Sequence, residues 1–527
     1  MRSRPTTTSV LVVGGGPVGL TLSLLLSAHG VRHLLVEAHP GTSRHPKARG
    51  VSARSAEVFR RLGLEADLRR AGLPPSHVHF YRGRDLVDPD FVRTGITADP
   101  RPGAERTPAP GLICSQDALE AVLLRHARER VPADIRFHTR MLSFTQDDGG
   151  VHAELEDRAT GARRTVHADW LIGCDGAAST VRTGAGIAME GPSGLGHFLS
   201  IRFEAPLGEV VADRASASYF LTAPGRGGFL AVDNDRHWVY QHPYDPAHDD
   251  LAALLADHRA LARLVRDAAG LPALDVTVRD TMTWRMDARL AAAYRRSRAL
   301  LAGDAAHVVP PTGGHGMNTG IGDADNLAWK LAAVLDGRAG ERLLDTYQDE
   351  RRPLARQVID LSLANARART GYRIDDELLL TAAYRSTAVL AEPGALDRAP
   401  LDPACEHWDA VPGGRLPHLS LPGTPGAAST LDLVGPGFTL LTPAPDAAWQ
   451  HQADTAAAAG HPVTPRAVPL DEPRWTQFSG LPATGALLVR PDGHLAWRAA
   501  HPPTEDTGLL GLLRRVLSAD GAAPPRP

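Results

Sequence analysis

The chain has 527 residues, of which 43% are hydrophobic and 22% are charged, and its formal net charge is −3. This length predicts two or three domains, and the composition is that of a globular protein. The small net charge gives no reason to expect nucleic acid or an anionic membrane as a partner. Cys114, Cys174 and Cys405 form no C-x-x-C pair and no metal-ligand spacing, so we expect neither a disulfide framework nor a metal site.

The N-terminus carries Arg2 and Arg4 ahead of an apolar segment, as a secretory signal does. Three consecutive glycines, residues 14–16, interrupt that segment, and cleavage there would discard the motif described next. No other stretch of about twenty apolar residues is present, so no membrane span is predicted. We therefore expect a cytoplasmic protein.

Residues 10–37 are predicted to form a buried strand, a glycine turn, a helix and a second strand. The residues that define this pattern are Gly14, Gly16, Pro17, Gly19 and Glu37. The N–H groups at such a helix start attract a pyrophosphate, and an acid that ends the second strand accepts hydrogen bonds from a ribose. The pattern predicts a site for an adenine dinucleotide, either NAD or FAD. The alternative is a glycine turn that only packs a helix against a sheet.

Residues 38–49 form a basic loop that precedes a helix over residues 53–62, with Ser52 as its cap. Arg49 lies next to the helix start and is predicted to reach the cofactor. Arg44 and Lys47 are expected to be solvated. Residues 73–110, rich in Pro, Gly, Arg and Asp, are predicted to be irregular strands and loops that leave the first domain.

Gln116 stands at the edge of a predicted helix over residues 118–130. Hydrogen bonding to a ligand and a place beside the helix cap are both consistent with this position. Strands are predicted at residues 135–145, 151–157 and 163–171, the last two as a hairpin. A buried strand over residues 169–173 then enters a turn with Asp175 and Gly176, and a short helix follows at residues 179–183.

Residues 191–287 show strand-like alternation interrupted by a helix around residues 251–268. This indicates a mostly antiparallel sheet inserted into the parallel one, a common place for substrate recognition. The strands are predicted at residues 199–204, 217–222, 229–233, 237–244 and 275–282.

A short buried strand over residues 299–302 ends in Gly303 and Asp304, and a loop rich in glycine follows at residues 307–320. Such a loop indicates that another group comes close to its backbone. Helices are predicted at residues 321–335 and 341–369, with Pro353 as the candidate position for a kink. Residues 391–426 are predicted to be a linker or cover strand, and the last hundred residues a small α/β domain.

Three stretches together resemble the FAD-dependent aromatic hydroxylases of the para-hydroxybenzoate hydroxylase fold. They are residues 14–19 with Glu37, residues 174–182, and residues 303–310. Residues 45–50 and the long C-terminal region are most similar to the polyketide hydroxylase branch, whose members carry a thioredoxin-like C-terminal domain. Here that domain has no cysteine pair, so a redox role for it is not supported.

The resemblance implies an α/β fold with three parts. A Rossmann-like FAD-binding domain spans residues 1–190 and 283–395. A mostly antiparallel substrate-binding sheet spans residues 191–282, with residues 73–111 partly belonging to it. A thioredoxin-like domain spans residues 396–527.

The resemblance also implies the roles of individual residues. The three motif glycines contact the pyrophosphate, Glu37 the adenosine ribose, Arg49 and Gln116 the side of FAD, and Asp304 the ribityl chain. Asp175 and Gly176 belong to a motif associated with FAD and NADPH, although a structural role in that turn is a rival interpretation. Further contacts with the cofactor are expected from Pro17, Pro310, Gly314, Gly316, Met317 and Asn318.

The glycine-rich loop supports the same conclusion from physical chemistry. A reduced flavin carries negative charge near its pyrimidine edge, and a helix N-terminus stabilises such charge by about 0.3–2 kcal/mol. We expect Asn318, Thr319 and Gly320 to offer their N–H groups there. Relatives of this kind often have glutamine at position 315, so His315 is interpreted as a loop residue and not as a catalyst. His307 is interpreted as structural by default.

By resemblance, NADPH reduces the flavin, O2 forms a flavin peroxide, and one oxygen atom passes to a polycyclic aromatic of polyketide type. The sequence does not identify a catalytic residue, and monomer and homodimer both stay open. Baeyer–Villiger insertion on the same scaffold is one alternative. A non-catalytic dinucleotide-binding protein is the other.

Overall fold

The computed structural model describes residues 6–95, 106–130, 135–367, 377–391, 410–503 and 508–519. The helices are α1 Pro17–Ala28, α2 Ala53–Arg61, α3 Glu65–Ala71, α4 Gln116–Arg130, α5 Thr180–Gly184, α6 Leu251–Ala256, α7 His258–Ala269, α8 Gly316–Leu335, α9 Asp345–Arg367, α10 Glu377–Leu380, α11 Ala447–Ala458, α12 Glu472–Ser479 and α13 Gly508–Val516. The strands are β1 Thr6–Val13, β2 His33–Val36, β3 Gly50–Val51, β4 His79–Gly83, β5 Val92–Gly95, β6 Leu112–Ile113, β7 Ile135–Arg136, β8 Thr139–Asp147, β9 Gly150–Asp157, β10 Arg163–Gly173, β11 Met189–Glu190, β12 Gly196–Glu204, β13 Ser218–Leu221, β14 Gly228–Ala231, β15 His237–Tyr244, β16 Thr277–Met286, β17 Arg289–Ala291, β18 Arg295–Arg296, β19 Ala299–Leu301, β20 His307–Val308, β21 Phe438–Thr442, β22 Val463–Ala467, β23 Ala486–Val489 and β24 Leu495–Ala499.

The main sheet has the strand order β18-β19-β10-β1-β2-β7. Its central strands run parallel, and β2 is buried along its whole length. Strands of this kind are covered on both faces, which accounts for their continuous apolar sequence. Helix α1 begins with Pro17 at its first position, as predicted, and buries Leu20 to Leu26 in the core. The predicted Rossmann-like unit is confirmed.

A hairpin extends this sheet, because β9 pairs antiparallel with both β8 and β10. The predicted continuous strand over residues 135–145 is wrong. The chain turns at His138, which has φ of 55°, and so divides the segment into β7 and β8. The strands predicted separately at residues 163–171 and 169–173 are one strand, β10.

The second sheet has the order β16-β12-β15-β14-β13-β4-β5, and only β13 and β4 run parallel in it. One face packs against α7 through a core that includes Leu199, Tyr219 and Leu261. This is the predicted mostly antiparallel sheet, and residues 79–95 supply two of its strands. The last long strand, β16, runs through Met286, whereas the sequence predicted that it ends at residue 282. The boundaries between the domains stay a prediction.

Two helices differ from the sequence prediction. Asp257 divides the helix expected over residues 251–268, because its carboxylate caps α7 by accepting from Arg259 N and Ala260 N. Helix α8 begins at Gly316, five residues before its predicted start. Pro353 lies inside α9 without ending it, and the predicted residues 368 and 369 of that helix lie outside the described residues.

The C-terminal sheet has the order β22-β21-β23-β24, with β21 and β22 parallel, and α11 and α13 pack against it. Part of the predicted linker belongs to this unit, since Ala410, Leu416 and Leu421 join its core. Residues 392–409, including Cys405, lie outside the described residues. Among the helices described, none combines the length and the apolar character that crossing a bilayer requires.

A buried cluster of charges joins the C-terminal unit to the helices of the main domain. Glu350 of α9 accepts hydrogen bonds from Arg490 Nη1 at 2.6 Å and from Lys330 Nζ of α8 at 2.8 Å. All three side chains are 0% exposed. Burial alone would raise the pKa of Glu350, but Arg490 and Lys330 outweigh it and hold that pKa well below its usual value. Burial also lowers the pKa of Lys330 to about 8.

Replacing Glu350 by Gln leaves Arg490 and Lys330 short of a compensating charge in the interior. We expect the substitution to lower the free energy of unfolding by about 3–5 kcal/mol, measured by urea titration of tryptophan fluorescence. The matched control is Glu156→Gln, which breaks an equally short but partly exposed pair with Arg140 and should cost less than about 1 kcal/mol.

The stability difference between wild type and Glu350→Gln is also expected to depend on pH. A carboxylate with a lowered pKa in the folded state stabilises the fold above its unfolded value of 4.5 and loses that contribution as the pH falls below it. The difference between wild type and Glu350→Gln should therefore narrow below about pH 4.5. A difference that stays constant with pH would contradict this assignment.

Candidate cofactor groove and substrate face

Four parallel strands of the main sheet end side by side. Val13 of β1 is paired with Val36 of β2 and with Gly173 of β10, and Gly173 is paired with Leu301 of β19. Residues 14, 37 and 174 each follow directly after one of these strand ends, and residue 303 follows the end of β19 after one intervening residue. In open α/β sheets, ligands bind in the crevice outside the carboxyl ends of the strands. The register therefore places the motif of residues 14–19, Glu37, residues 174–176 and residues 303–304 along one edge.

The three motif glycines have three different surroundings. Gly14 has φ of +111°, and a Cβ there would lie 2.2 Å from Cys174 O. A Cβ on Gly19 would lie 1.9 Å from Gly14 O, so α1 packs directly on the turn. A Cβ on Gly16 would meet no protein atom within 4 Å. Gly14 and Gly19 are thus required by the fold, whereas the absence of a side chain at Gly16 leaves room for a ligand at the start of α1.

Glu37 lies against the same turn. Its carboxylate accepts from Gly15 N at 2.6 Å and from His39 N at 2.8 Å, and its Oε1 also lies 2.6 Å from His39 Nδ1. A carboxylate has about four lone-pair sites, so these bonds leave capacity for a ribose hydroxyl. The position predicted for the ribose acid is therefore compatible with that role.

Asp175 shapes the next turn. Its carboxylate accepts from Ser179 Oγ at 2.5 Å, from Thr180 N at 2.7 Å and from Val181 N at 3.1 Å. Burial raises the pKa of this carboxyl despite those bonds. These contacts cap α5 and favour the structural interpretation of Asp175. Gly176, with φ of +78° and no protein atom within 4 Å of an added Cβ, remains accessible.

The turn at Gly303 contacts both glycine-rich helix starts. A Cβ on Gly303 would lie 2.9 Å from Val18 Cγ2, and a Cβ on Gly320 would lie 2.5 Å from the same atom. Asp304 next to it is exposed, yet surrounding protein desolvates it enough to raise the pKa of its carboxyl. Since Gly303 packs on Val18 of α1 and on Gly320 of α8, Asp304 lies beside the N-terminal parts of these two helices. We call the space at this edge of the sheet the cofactor groove.

The early start of α8 changes which N–H groups it offers. Thr319 N donates to His315 O at 2.8 Å, so the expectation that Thr319 and Gly320 present free N–H groups is wrong. The first-turn N–H groups are those of Gly316, Met317 and Asn318, which precede the first bond within the helix. Gly314, with φ of +72°, and the buried Pro310 shape the loop before this helix.

Asn318 has a second, structural task. Its Oδ1 accepts from Ser52 N at 2.9 Å, and its Nδ2 donates to Gly50 O and Gly314 O at 2.9 and 2.8 Å. The side chain therefore fixes the glycine loop to β3 and to the cap of α2. Its backbone N–H stays among the first-turn groups.

Asp323 is a buried residue at this site that we did not predict. Its Oδ2 accepts from Gly303 N at 3.1 Å and contacts His307 Nε2 at 2.7 Å, and its Oδ1 accepts from Arg351 Nε at 2.8 Å. Burial would raise the pKa of Asp323, but His307 and Arg351 lower it below its usual value. This arrangement holds the Gly303 turn and agrees with a structural role for His307. An acid between the apolar Ile321 and Ala324 of α8 was the available sequence signal.

Arg49 and Gln116 connect the two halves of the site. Arg49 Nη1 donates to Ala217 O at 2.6 Å and Ala231 O at 2.9 Å, and its Nη2 donates to Ser218 Oγ at 2.7 Å. Gln116 is the first residue of α4, and its Oε1 accepts from Ala48 N at 3.2 Å. The basic loop is thus bound to the second sheet on one side and to α4 on the other. Direct contact of either residue with the cofactor stays a prediction.

The face of the second sheet opposite α7 meets this loop. Arg202 Nη1 donates to Arg44 O at 2.7 Å, and His45 Nδ1 lies 3.5 Å from Asp280 Oδ2. The loop continues into β3, which Asn318 fixes to α8, so this face lies across from the cofactor groove. We call it the groove face; its half-buried or buried side chains include Phe198, Ser200, Phe220, Leu230, Gln241, Met282 and Trp284. The alternation of residue types along the strands predicts two faces of this sheet, but the sequence does not indicate which face lies toward the cofactor groove.

Comparisons with known proteins identify the family of the chain. A family model described as FAD binding domain matches residues 7–362, and one described as aromatic-ring hydroxylase, C-terminal, matches residues 409–519. The chain belongs to the FAD-dependent aromatic-ring hydroxylases. It is therefore a flavin-dependent monooxygenase, which excludes the non-catalytic alternative.

Relatives of the chain match it along its length. Tetracenomycin A2 monooxygenase-dioxygenase of Streptomyces glaucescens is 37% identical over 98% of both chains. Aklavinone 12-hydroxylase of Streptomyces purpurascens is 37% identical over 96% of this chain and 98% of its own. The crystal structure of a ternary complex of aklavinone-11 hydroxylase with FAD and aklavinone has a TM-score of 0.86 and 35% identity, and covers 98% of this chain and 100% of its own.

The open space at Gly16 gives a direct test of where FAD binds this hydroxylase. Gly16 has φ of −78°, which alanine adopts without strain, so Gly16→Ala should leave the thermal unfolding of the FAD-free protein unchanged. The added methyl group would collide with the pyrophosphate and weaken FAD binding by about 1–3 kcal/mol, measured by flavin fluorescence titration.

Gly41→Ala is the matched control, because an added Cβ at Gly41 also meets no protein atom within 4 Å. It should leave FAD affinity at the wild-type value. Equal FAD affinity in Gly16→Ala and Gly41→Ala would show that the pyrophosphate does not lie at this turn.

Proposed function

We propose that this monooxygenase uses FAD, NADPH and O2 to hydroxylate a polycyclic aromatic compound of polyketide type. The observation that carries the proposal is the groove at the ends of the parallel strands, which faces a largely apolar sheet surface. Full-length similarity to a tetracenomycin A2 monooxygenase-dioxygenase and to an aklavinone 12-hydroxylase supports the substrate class.

The protein's own groups fit the parts of FAD. The start of α1 offers N–H groups and its dipole to the pyrophosphate, with Gly16 leaving the space. Asp304 offers an acceptor to the ribityl hydroxyls. The first-turn N–H groups of Gly316, Met317 and Asn318 stabilise negative charge at the pyrimidine edge. Bound FAD supplies the redox chemistry, by accepting a hydride from NADPH and activating O2.

The groove face fits a flat aromatic substrate. Phe198 and Trp284 are stacked with their ring centroids 4.4 Å apart and their planes 13° apart. Met282, Leu230 and Phe220 extend the apolar surface across the strands. A substrate between this surface and the cofactor would exclude water from the reacting carbon, which prevents unproductive loss of the activated oxygen.

The C-terminal unit has a supporting role in this proposal. Residues 410–519 contain no cysteine, so no dithiol is available there for redox chemistry. Its Arg490 contacts Glu350, which also binds Lys330 of α8. We propose that the unit holds α8, and with it the N–H groups that face the flavin.

The test is an assay of the purified protein with FAD, NADPH and a hydroxylated tetracyclic quinone under labelled oxygen gas. The expected result is substrate-stimulated NADPH oxidation and a product that gains one labelled oxygen atom as a hydroxyl group. NADH in place of NADPH should support a lower rate. A ring-expanded lactone, or stimulation only by NADH, would contradict the corresponding part of the proposal.

A further inference from the structure

Gln241 lies at the centre of the groove face in a defined network of hydrogen bonds. Its Oε1 accepts from Trp284 Nε1 at 2.9 Å and from Ser200 Oγ at 2.9 Å. Trp284 Nε1 also lies 3.1 Å from Ser200 Oγ. Three strands, β12, β15 and β16, therefore hold one amide group in place.

The chemistry of these partners fixes which way the amide faces. An indole N–H only donates, so the amide atom beside Trp284 must be the oxygen. The Nε2 group consequently lies on the opposite side of the amide. Among the described residues, the hydrogen bonds of the Gln241 side chain all go to Oε1 and none is made by Nε2, and the residue is only half-buried.

The surroundings of this donor are mostly apolar. Phe198 and Trp284 stack beside it, and Met282 lies on β16 across from Ser200. Gly228, the residue paired with Gln241 on β14, contributes no side chain next to the amide. When a substrate covers this face and displaces water, the Nε2 donor loses its solvent partners. An unpaired donor buried in this way costs about 1–3 kcal/mol.

We propose that Gln241 Nε2 donates a hydrogen bond to a ring oxygen of the substrate, a quinone carbonyl or a phenolate, and so selects the substrate and the edge presented to FAD. This rests on the proposed function, since the substrate must lie on the groove face. Gln241 is a specificity-determining residue in this proposal. A site built to hydrogen-bond an oxygen rejects the analogue that lacks it far more strongly than an apolar pocket does.

The test compares a quinone and its analogues as substrates of wild type and of two variants. The substrates are a tetracyclic quinone and its analogue in which one carbonyl oxygen is removed, for each carbonyl in turn. Gln241→Glu keeps the acceptor for Trp284 and the size of the side chain, but replaces the donor by a second acceptor. Gln146→Glu is the matched control, since Gln146 also accepts a hydrogen bond, from Arg298 N at 3.0 Å, and lies on β8, outside the second sheet.

We expect wild type and Gln146→Glu to prefer the full quinone over one of the analogues by tenfold or more in kcat/KM. Gln241→Glu should lose that preference and yield less product per NADPH consumed, while its thermal unfolding and bound FAD show that the site is intact. If Gln241→Glu does not fold, Trp284→Phe replaces it. That change keeps the ring on Phe198 but frees the amide to turn, so the preference should fall and a mixture of hydroxylated positions should form.

The outcomes separate the two proposals. If wild type hydroxylates none of these compounds, the proposed function fails. If wild type hydroxylates them and Gln241→Glu keeps the same preference and the same coupling to NADPH, the function stands and the role of Gln241 is overturned.

Discussion

Parallel pairing of β1 with β2 and β10, and of β10 with β19, is the constraint on which the rest of the structure depends. Segments far apart in the sequence, such as those that follow Val13 and Gly173, acquire a common edge only because their strands end in register. The chain turns at each of these strand ends by a different local feature. At Gly14 and Gly303 the turn has positive φ and packs closely on neighbouring backbone or side chains, and at Asp175 a carboxylate caps α5. These turns leave backbone N–H groups and the exposed side chain of Asp304 at the same edge of the sheet.

Buried charges give this edge its rigidity. Asp323 binds the Gly303 turn, His307 and Arg351 at once, so that α8, α9 and the turn cannot move independently without leaving a charge unpaired. Further along α8, Lys330 meets Glu350 and through it Arg490 of the C-terminal unit. One helix thus begins at the cofactor groove and ends against the distant domain. These contacts connect α8 to the C-terminal unit, which is the structural basis of the supporting role that we propose for that unit.

The sequence predicted the parts that depend on local chemistry. Pro17 at the first position of α1 and the cap Ser52 were predicted correctly because each acts on its immediate neighbours in the chain. The start of α8 was predicted too late, since glycines at positions 316 and 320 lower helix propensity and tertiary contacts with Val18 compensate for this. The division at Asp257 was missed for a related reason: its carboxylate competes with the helix backbone.

Contacts between distant segments were beyond a single sequence. Arg490 lies beside Glu350, 140 residues away, and no periodic pattern in the sequence predicts this contact. No such pattern predicts either that the groove face, and not the α7 face, lies toward the cofactor groove. The expectation for Arg49 shows the same limit, because its carbonyl partners belong to β14 and to the residue before β13. The sequence indicated that a cationic side chain, Arg49, lies near the cofactor site, but only the fold shows which groups Arg49 contacts.

Hydrogen–deuterium exchange with and without FAD tests the central claim most directly, namely that the separated turns bind one cofactor. The account predicts slower exchange on FAD addition in three segments together: the first turn of α1, the turn at residues 174–176, and residues 303–318. Protection confined to the first segment, with the other two exchanging at the same rate as before, would contradict it.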